Sequence, residues 1–242
     1  MITFNKIFLF ILLILPSLVS GMEKAQLLQL GNEAYSNGET DASIEYYLEV
    51  LKSDESSTVH FNLGNAYFKS NEFGRAIYHY EKSLILAPKK SETLNNLNLA
   101  KLALDIPQYE PDWKDNLTGT FTIKTWFWIA AMTFWTAAGL IIGPFILKNA
   151  NIYTKLASAI FGLLFACSLF PITQQLSKAG MAICFTNDTP MKVTPTENSP
   201  AVSYIQSGNT ATIKKKHEFY YLIKSPNGAE GWVKSSEIGK LW

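Results

Sequence analysis

The chain predicts a multi-domain membrane protein: an all-α solenoid of helical repeats, a two-helix transmembrane hairpin and a small all-β barrel, in that order. Three observations predict it. Residues 22–106 repeat themselves at an offset of 33, the period of stacked helix pairs. Residues 126–147 and 156–176 are uncharged apolar runs of 22 and 21 residues, and a helix of about 20 apolar residues crosses the hydrocarbon core of a bilayer. Beyond Ser177 the pattern turns to short β-branched and aromatic runs punctuated by Pro and Gly, which is how small sheet proteins read.

The chain opens with Lys6, the apolar run 7–15, Pro16 and a small-residue end at Val19-Ser20-Gly21. A basic start, a short apolar core and a small-residue end describe a secretory signal peptide over residues 1–21. The segment that follows is then exported, which in a bacterium places it outside the cytoplasmic membrane.

In residues 22–106, Gly31, Asn32, Glu39, Ile44, Tyr47 and Leu51 recur as Gly64, Asn65, Glu72, Ile77, Tyr80 and Leu84. Apolar residues at helical spacing, broken at Asn37-Gly38, Asp54-Glu55, Asn71-Glu72 and Pro88-Lys89, predict helix pairs over 23–37 with 40–53 and 57–70 with 73–86. Ser57 and Ser91 are the expected N-caps. A further helix over 91–105, carrying Leu94, Leu97 and Leu104, caps the stack. These units resemble the tetratricopeptide repeat. The second unit supplies its Leu63-Gly64, Tyr67, Ala76, Tyr80 and Pro88, with His60 in place of Trp. The first keeps Leu30-Gly31 and Tyr47 but has Ala34, Ser43 and Glu55 at the other signature places.

The resemblance implies a concave, protein-binding groove lined by Leu28, Asn32 and Tyr35 of the first unit and Phe61, Asn62, Asn65, Phe68 and Lys69 of the second. For Phe61 and Phe68, packing between units is an equal alternative. Repeats of this family that grip a terminal carboxylate place cations beside two asparagines. Asn32 and Asn62 hold the amide places, but Leu28, Glu92 and Asn96 hold the basic ones, so a bound carboxylate would lack its counter-charge. That clamp is excluded. His60 and His79 lack a third ligand at metal-site spacing, and a structural or surface role is expected for both.

Residues 107–125 form a polar linker broken by Pro107, Pro111 and Gly119, with Trp113, Phe121, Trp126 and Trp128 suited to a headgroup boundary. The link 148–155 carries Lys148 and Lys155 and no acid, which makes it cytoplasmic and puts both polar flanks on the periplasmic side. Neither span holds an ionisable group except the Cys167 thiol, which disfavours transport. Gly139 and Gly143 on the first span, with Ser158, Gly162 and Ala166 on the second, are small residues at helical spacing. The expectation is that the two stripes face each other and close the hairpin.

In residues 179–242, strands are expected over 182–185, 191–193, 210–214 and 220–224 and around Gly231-Trp232-Val233. Pro226-Asn227-Gly228 forms the turn of the last hairpin. This segment resembles the bacterial SH3-like domain in Tyr220-Tyr221, Asn227-Gly228 and Gly231-Trp232-Val233, with Val193-Thr194-Pro195 where that family reads V-R-S. The resemblance implies a small barrel with a possible ligand surface at Tyr220, Tyr221 and Trp232, Trp232 being weighted toward the core. Lys214-Lys215-Lys216 reads as a solvated turn, with contact to an anionic surface as the alternative.

A net charge of +1 and a single Arg, Arg75, disfavour nucleic-acid binding. Cys167 and Cys184 read as unpaired small apolar residues. No nucleophile–base pair, phosphate loop or metal cluster stands out, so no cofactor and no enzyme activity are expected. The order of the modules resembles the BatE-type proteins of the bacterial Bat (aerotolerance) group. That resemblance implies a membrane-bound scaffold working with membrane proteins that carry von Willebrand A-type domains, in envelope complex assembly or stress tolerance. The competing reading is a cell-wall sensor whose barrel binds peptidoglycan.

Overall fold

A computed structural model describes residues 22–53, 55–147 and 151–242. The expected signal peptide, Asp54 at the first interunit break and Lys148 of the inter-span link lie outside the described residues. Helices α1 (22–37), α2 (Thr40–Ser53), α3 (Ser57–Lys69), α4 (Phe73–Leu86) and α5 (Ser91–Leu102) build the repeat region. The tight turn within each pair uses one left-handed residue at the same place in the repeat, Gly38 (φ 83°) and Asn71 (φ 61°). Gly and Asn are the types that tolerate that conformation. Each pair then closes on a glycine. A β-carbon on Gly31 would stand 2.6 Å from the Tyr47 ring, and one on Gly64 would stand 2.5 Å from the Tyr80 ring. Tyr47, Leu63, Ala76, Ile77, Tyr80 and Leu97 form a continuous buried core with these contacts.

The helix starts differ from expectation. α3 and α5 begin at Ser57 and Ser91 themselves, with Ser56 and Lys90 at the N-cap positions and no side-chain cap. Being inside the first turn, Ser57 instead sends its hydroxyl across to the Ser83 carbonyl of α4, at 3.1 Å. α5 stops at Leu102 rather than Asp105, because Asp105 turns left-handed (φ 54°) and Ile106 N–H bonds back to the Lys101 carbonyl.

The linker holds a short helix, α6 (Trp113–Thr118), capped by Asp112, whose carboxylate accepts from Asp115 N–H at 2.8 Å. α7 (Ile123–Ile146) and α8 (Ile152–Ser177) form the antiparallel hairpin, and both are long and apolar enough to cross a membrane. Asn151 and Thr154 cap α8 reciprocally, a capping box that satisfies orphan N–H groups at its start.

The facing small-residue stripes are not what closes the hairpin. Gly139 and Ala166 are exposed, and a β-carbon on Gly139, Gly143 or Gly162 would meet nothing within 4 Å. Of the five, only Ser158 is buried, with its hydroxyl 3.4 Å from the Ala137 carbonyl. The seam runs through Ala130 and Ala137, two turns apart on α7, with Phe134 packed on Phe165 at 5.4 Å.

The C-terminal module is an antiparallel sheet of seven strands: β1 (Met181–Cys184), β2 (Thr189–Lys192), β3 (Ala201–Ile205), β4 (Thr210–His217), β5 (Tyr220–Lys224), β6 (Glu230–Lys234) and β7 (Ile238–Lys240). The order is β3-β2-β6-β5-β4-β1-β7, with β3 and β7 as edges. The sheet is therefore not the closed barrel that was expected, and it holds two strands the pattern did not mark. β3 is a mostly exposed edge strand and β7 only three residues long, so neither has a buried alternating face to reveal it. Trp232 is not a core residue. Its neighbours Gly231 and Val233 point inward while the indole lies half-buried on the outer face, edge-on to His217 at 6.1 Å.

The repeats and the sheet share a core directly, which two modules joined only through a membrane hairpin would not do. Ile183 and Leu241 belong to the buried cluster of the repeats. α4 approaches β1 so closely that a β-carbon on Gly74 would stand 2.3 Å from Ser207 Oγ and 2.8 Å from the Cys184 and Phe185 carbonyls. Tyr78 packs edge-on to Phe185 at 5.4 Å, and the Arg75 guanidinium covers the same ring at 4.8 Å.

Candidate protein-binding groove

The groove is built on α1, α3 and α5, and its floor is a ladder of amides that recurs from one repeat to the next. Asn32 Oδ1 accepts from Tyr47 OH at 2.8 Å and from Asn62 Nδ2 at 3.0 Å. One unit later Asn65 Oδ1 accepts from Tyr80 OH at 2.8 Å and from Asn96 Nδ2 at 2.8 Å. Burial pushes both phenols up, Tyr80 the further, so each stays a neutral donor and fixes the amide it holds. Each Asn therefore joins its own second helix to the next unit. Among the described residues, the Nδ2 groups of Asn32 and Asn65 and the Oδ1 atoms of Asn62 and Asn96 have no protein partner. Such alternating donors and acceptors match the N–H and C=O groups of an extended chain.

Around this floor the structure places Leu28, Tyr35, Phe61 and Phe68 half-buried and Lys69 exposed. Lys69 reaches back to the Tyr35 carbonyl at 3.3 Å, its ammonium 4.9 Å from that ring. Phe68 packs edge-on to Phe73 of its own repeat at 5.3 Å. Phe61 lies 6.2 Å from Tyr80 and is overhung by the Lys90 ammonium at 4.4 Å, a cation–π contact. Lys90 was missed because it sits outside any helix, where the repeat pattern assigns no groove position. Leu63, Gly64, Tyr67, Ala76 and Tyr80 are buried behind the groove, and Pro88 is half-buried at the end of α4.

His60 and His79 meet beneath the second repeat. Their Nδ1 atoms are 2.9 Å apart, and His60 Nε2 lies 2.6 Å from Glu55 Oε2. A carboxylate only accepts, so His60 Nε2 donates. A neutral His60 then accepts at Nδ1, and His79 donates. Burial lowers the pKa of both rings, that of His79 strongly. Burial alone would raise Glu55, but its bonds to His60 and Lys82 bring it below the usual carboxylate value. This chain of bonds is structural, and His79 is further enclosed by the Tyr67 and Tyr78 rings at 5.3 and 4.9 Å. Among the described residues no three His, Cys, Asp or Glu side chains gather where a metal could be held.

On the sheet, Tyr220, Tyr221 and Trp232 are all half-buried. Tyr220 OH bonds Glu197 at 3.2 Å, which is also paired with Lys234 at 2.9 Å. Tyr221 packs on the inner cluster instead, so the three rings do not form one surface.

Residues 27–57 and 57–90 match the tetratricopeptide-repeat family. Among solved structures, the tetratricopeptide-repeat domain of Arabidopsis OM64 is similar at 16% identity, covering 58% of this chain and 94% of that one with a TM-score of 0.34. No curated protein matches the sequence. The two family matches show that residues 27–90 carry two tetratricopeptide repeats, modules that mediate protein–protein interaction.

Proposed function

We propose that the protein is a non-enzymatic, membrane-anchored scaffold whose repeat groove holds an extended segment of a partner protein. The observation that carries this is the amide ladder: among the described residues, unpartnered donors and acceptors recur from one repeat to the next in an open groove bordered by half-buried aromatics. The apolar hairpin α7–α8 is the anchor. With the lysine-bearing link on the cytoplasmic side, repeats and sheet face the periplasm. The module order supports partners among membrane proteins with von Willebrand A-type domains, and a role in envelope complex assembly or aerotolerance.

The test uses the full chain in detergent, because the repeats share their core with the sheet and are not tested as a fragment. Membrane extracts are passed over wild type and Phe61→Ala/Phe68→Ala. Loss of a retained protein is expected, each ring contributing about 2 kcal/mol as an aromatic anchor; identical retained sets would contradict the groove. A second reading, in which the sheet binds peptidoglycan, rests on the outward placement of Trp232 beside Tyr220. Cosedimentation of the full chain with purified wall material, lost on Trp232→Ala, would favour it.

A further inference from the structure

A cavity of about 530 Å³ lies where the repeats, α6, the end of α8 and the sheet meet, a volume usual for small-ligand sites. Its apolar walls come from four elements: Leu84 and Ile85 of α4, Leu94 of α5, Met181 of β1, and Leu241 and Trp242 after β7. Its other side is formed by Thr118 and Gly119 on the approach to α7 and by Gln175 in the last turn of α8. Gln175 Nε2 ties these segments together, donating to the Thr118 carbonyl at 2.7 Å and the Phe121 carbonyl at 3.1 Å. The cavity thus sits at the level where the chain enters and leaves the hairpin.

Charge around it is unbalanced. Glu81 is engaged by Lys101 at 3.5 Å and Asp115 by Lys178 at 3.6 Å. Lys89 and Lys90, also on its lining, form no ion pair with an acid among the described residues; the Lys90 ammonium lies over the Phe61 ring. The indole N–H of Trp242 is, among the described residues, the one buried side-chain polar atom without a hydrogen-bond partner. That nitrogen is closed off from the cavity, so Trp242 gives the cavity apolar ring surface rather than a donor.

We propose that this cavity holds one anionic phospholipid drawn from the adjoining leaflet. An acyl chain lies against the Leu84, Leu94 and Met181 walls and the Trp242 ring, and the phosphate is held by Lys89 and Lys90. Charge-assisted bonds from lysine to phosphate favour an anionic headgroup, and the apolar walls favour a lipid over free phosphate. The inference rests on the reading of α7–α8 as a membrane hairpin.

The experiment is native mass spectrometry of the full chain purified from membranes, titrated with phosphatidylglycerol or phosphatidylcholine, with inorganic phosphate as a third arm. One phosphatidylglycerol is expected to survive activation that strips phosphatidylcholine. Lys89→Glu, at an exposed position, should weaken that preference. Thr210→Trp, an exposed lining residue enlarged to fill the cavity, should remove the tightly held lipid. Equal retention of the two lipids, retention indifferent to both variants, or displacement by phosphate alone would overturn the proposal. Recovery of the chain in the aqueous fraction before any lipid is added would remove the hairpin reading and this inference with it. Recovery in membranes without lipid preference removes this inference alone.

Discussion

The two repeats agree inside and part company outside. Inside, Gly31, Asn32 and Tyr47 make the same contacts as Gly64, Asn65 and Tyr80, one period of 33 residues later. Outside, the first repeat presents Asp41 and Glu45, both exposed, while the corresponding places of the second hold Gly74 and Tyr78, closed over by β1 and Phe185. Positions that keep their identity build the stack and its groove. Positions that depart from it decide what the stack carries on its back: water on the first repeat, the sheet on the second.

The largest effect should come from erasing that difference. Gly74→Asp/Tyr78→Glu gives the second repeat the outer face of the first. An aspartate there would meet two backbone carbonyls, and neither can move aside as a side chain would. Overpacking and burial of a charge together should cost roughly 3 kcal/mol or more, enough to undock the sheet. The expected outcome is a second, lower thermal transition and new proteolytic cleavage within 103–112, with the repeat helices retained. A single unchanged transition would mean that the shared core contributes little.

A smaller effect separates the repeats by acid. His60 and His79 have Leu27 and Tyr46 at the matching places of the first repeat, so only the second contains titratable groups of this kind. Burial holds both rings below their ordinary value in the fold. The unfolded chain therefore binds protons first as pH drops through about 6.5, and stability is present above that value and lost below it. A histidine that stays neutral in the fold down to pH 5 costs about 2 kcal/mol by then. Urea midpoints at pH 7 and pH 5 should show this loss, and His79→Phe should shrink it. An equal pH dependence in the variant would place the acid sensitivity elsewhere.

The helix pairs were legible because their apolar spacing and punctuation are local: Gly38 and Asn71 mark the turns, and the expected bounds fall within a few residues of those observed. The two apolar helices were legible for the same reason. The contact of Gly74 with Ser207 was not, since it joins residues far apart in the chain and leaves no periodic trace. Its one signal was the break in the repeat at Asp41/Gly74 and Glu45/Tyr78. In the groove, residue types at repeat positions named the amides but not their partners, and Lys90 lay outside the pattern. Small residues at helical spacing misled in the hairpin, because Gly139 and Gly143 satisfy the pattern on a face that meets no neighbour.

The central claim is that the open face shared by both repeats binds a partner while the outer face does not. Site-specific photo-crosslinking in intact cells tests it most directly, with a benzophenone amino acid placed at Tyr35 or Phe68 in the groove, or at Glu45 on the outer face of the first repeat. The account predicts a discrete crosslinked protein from Tyr35 and Phe68 and none from Glu45. A crosslink from Glu45 alone would contradict it.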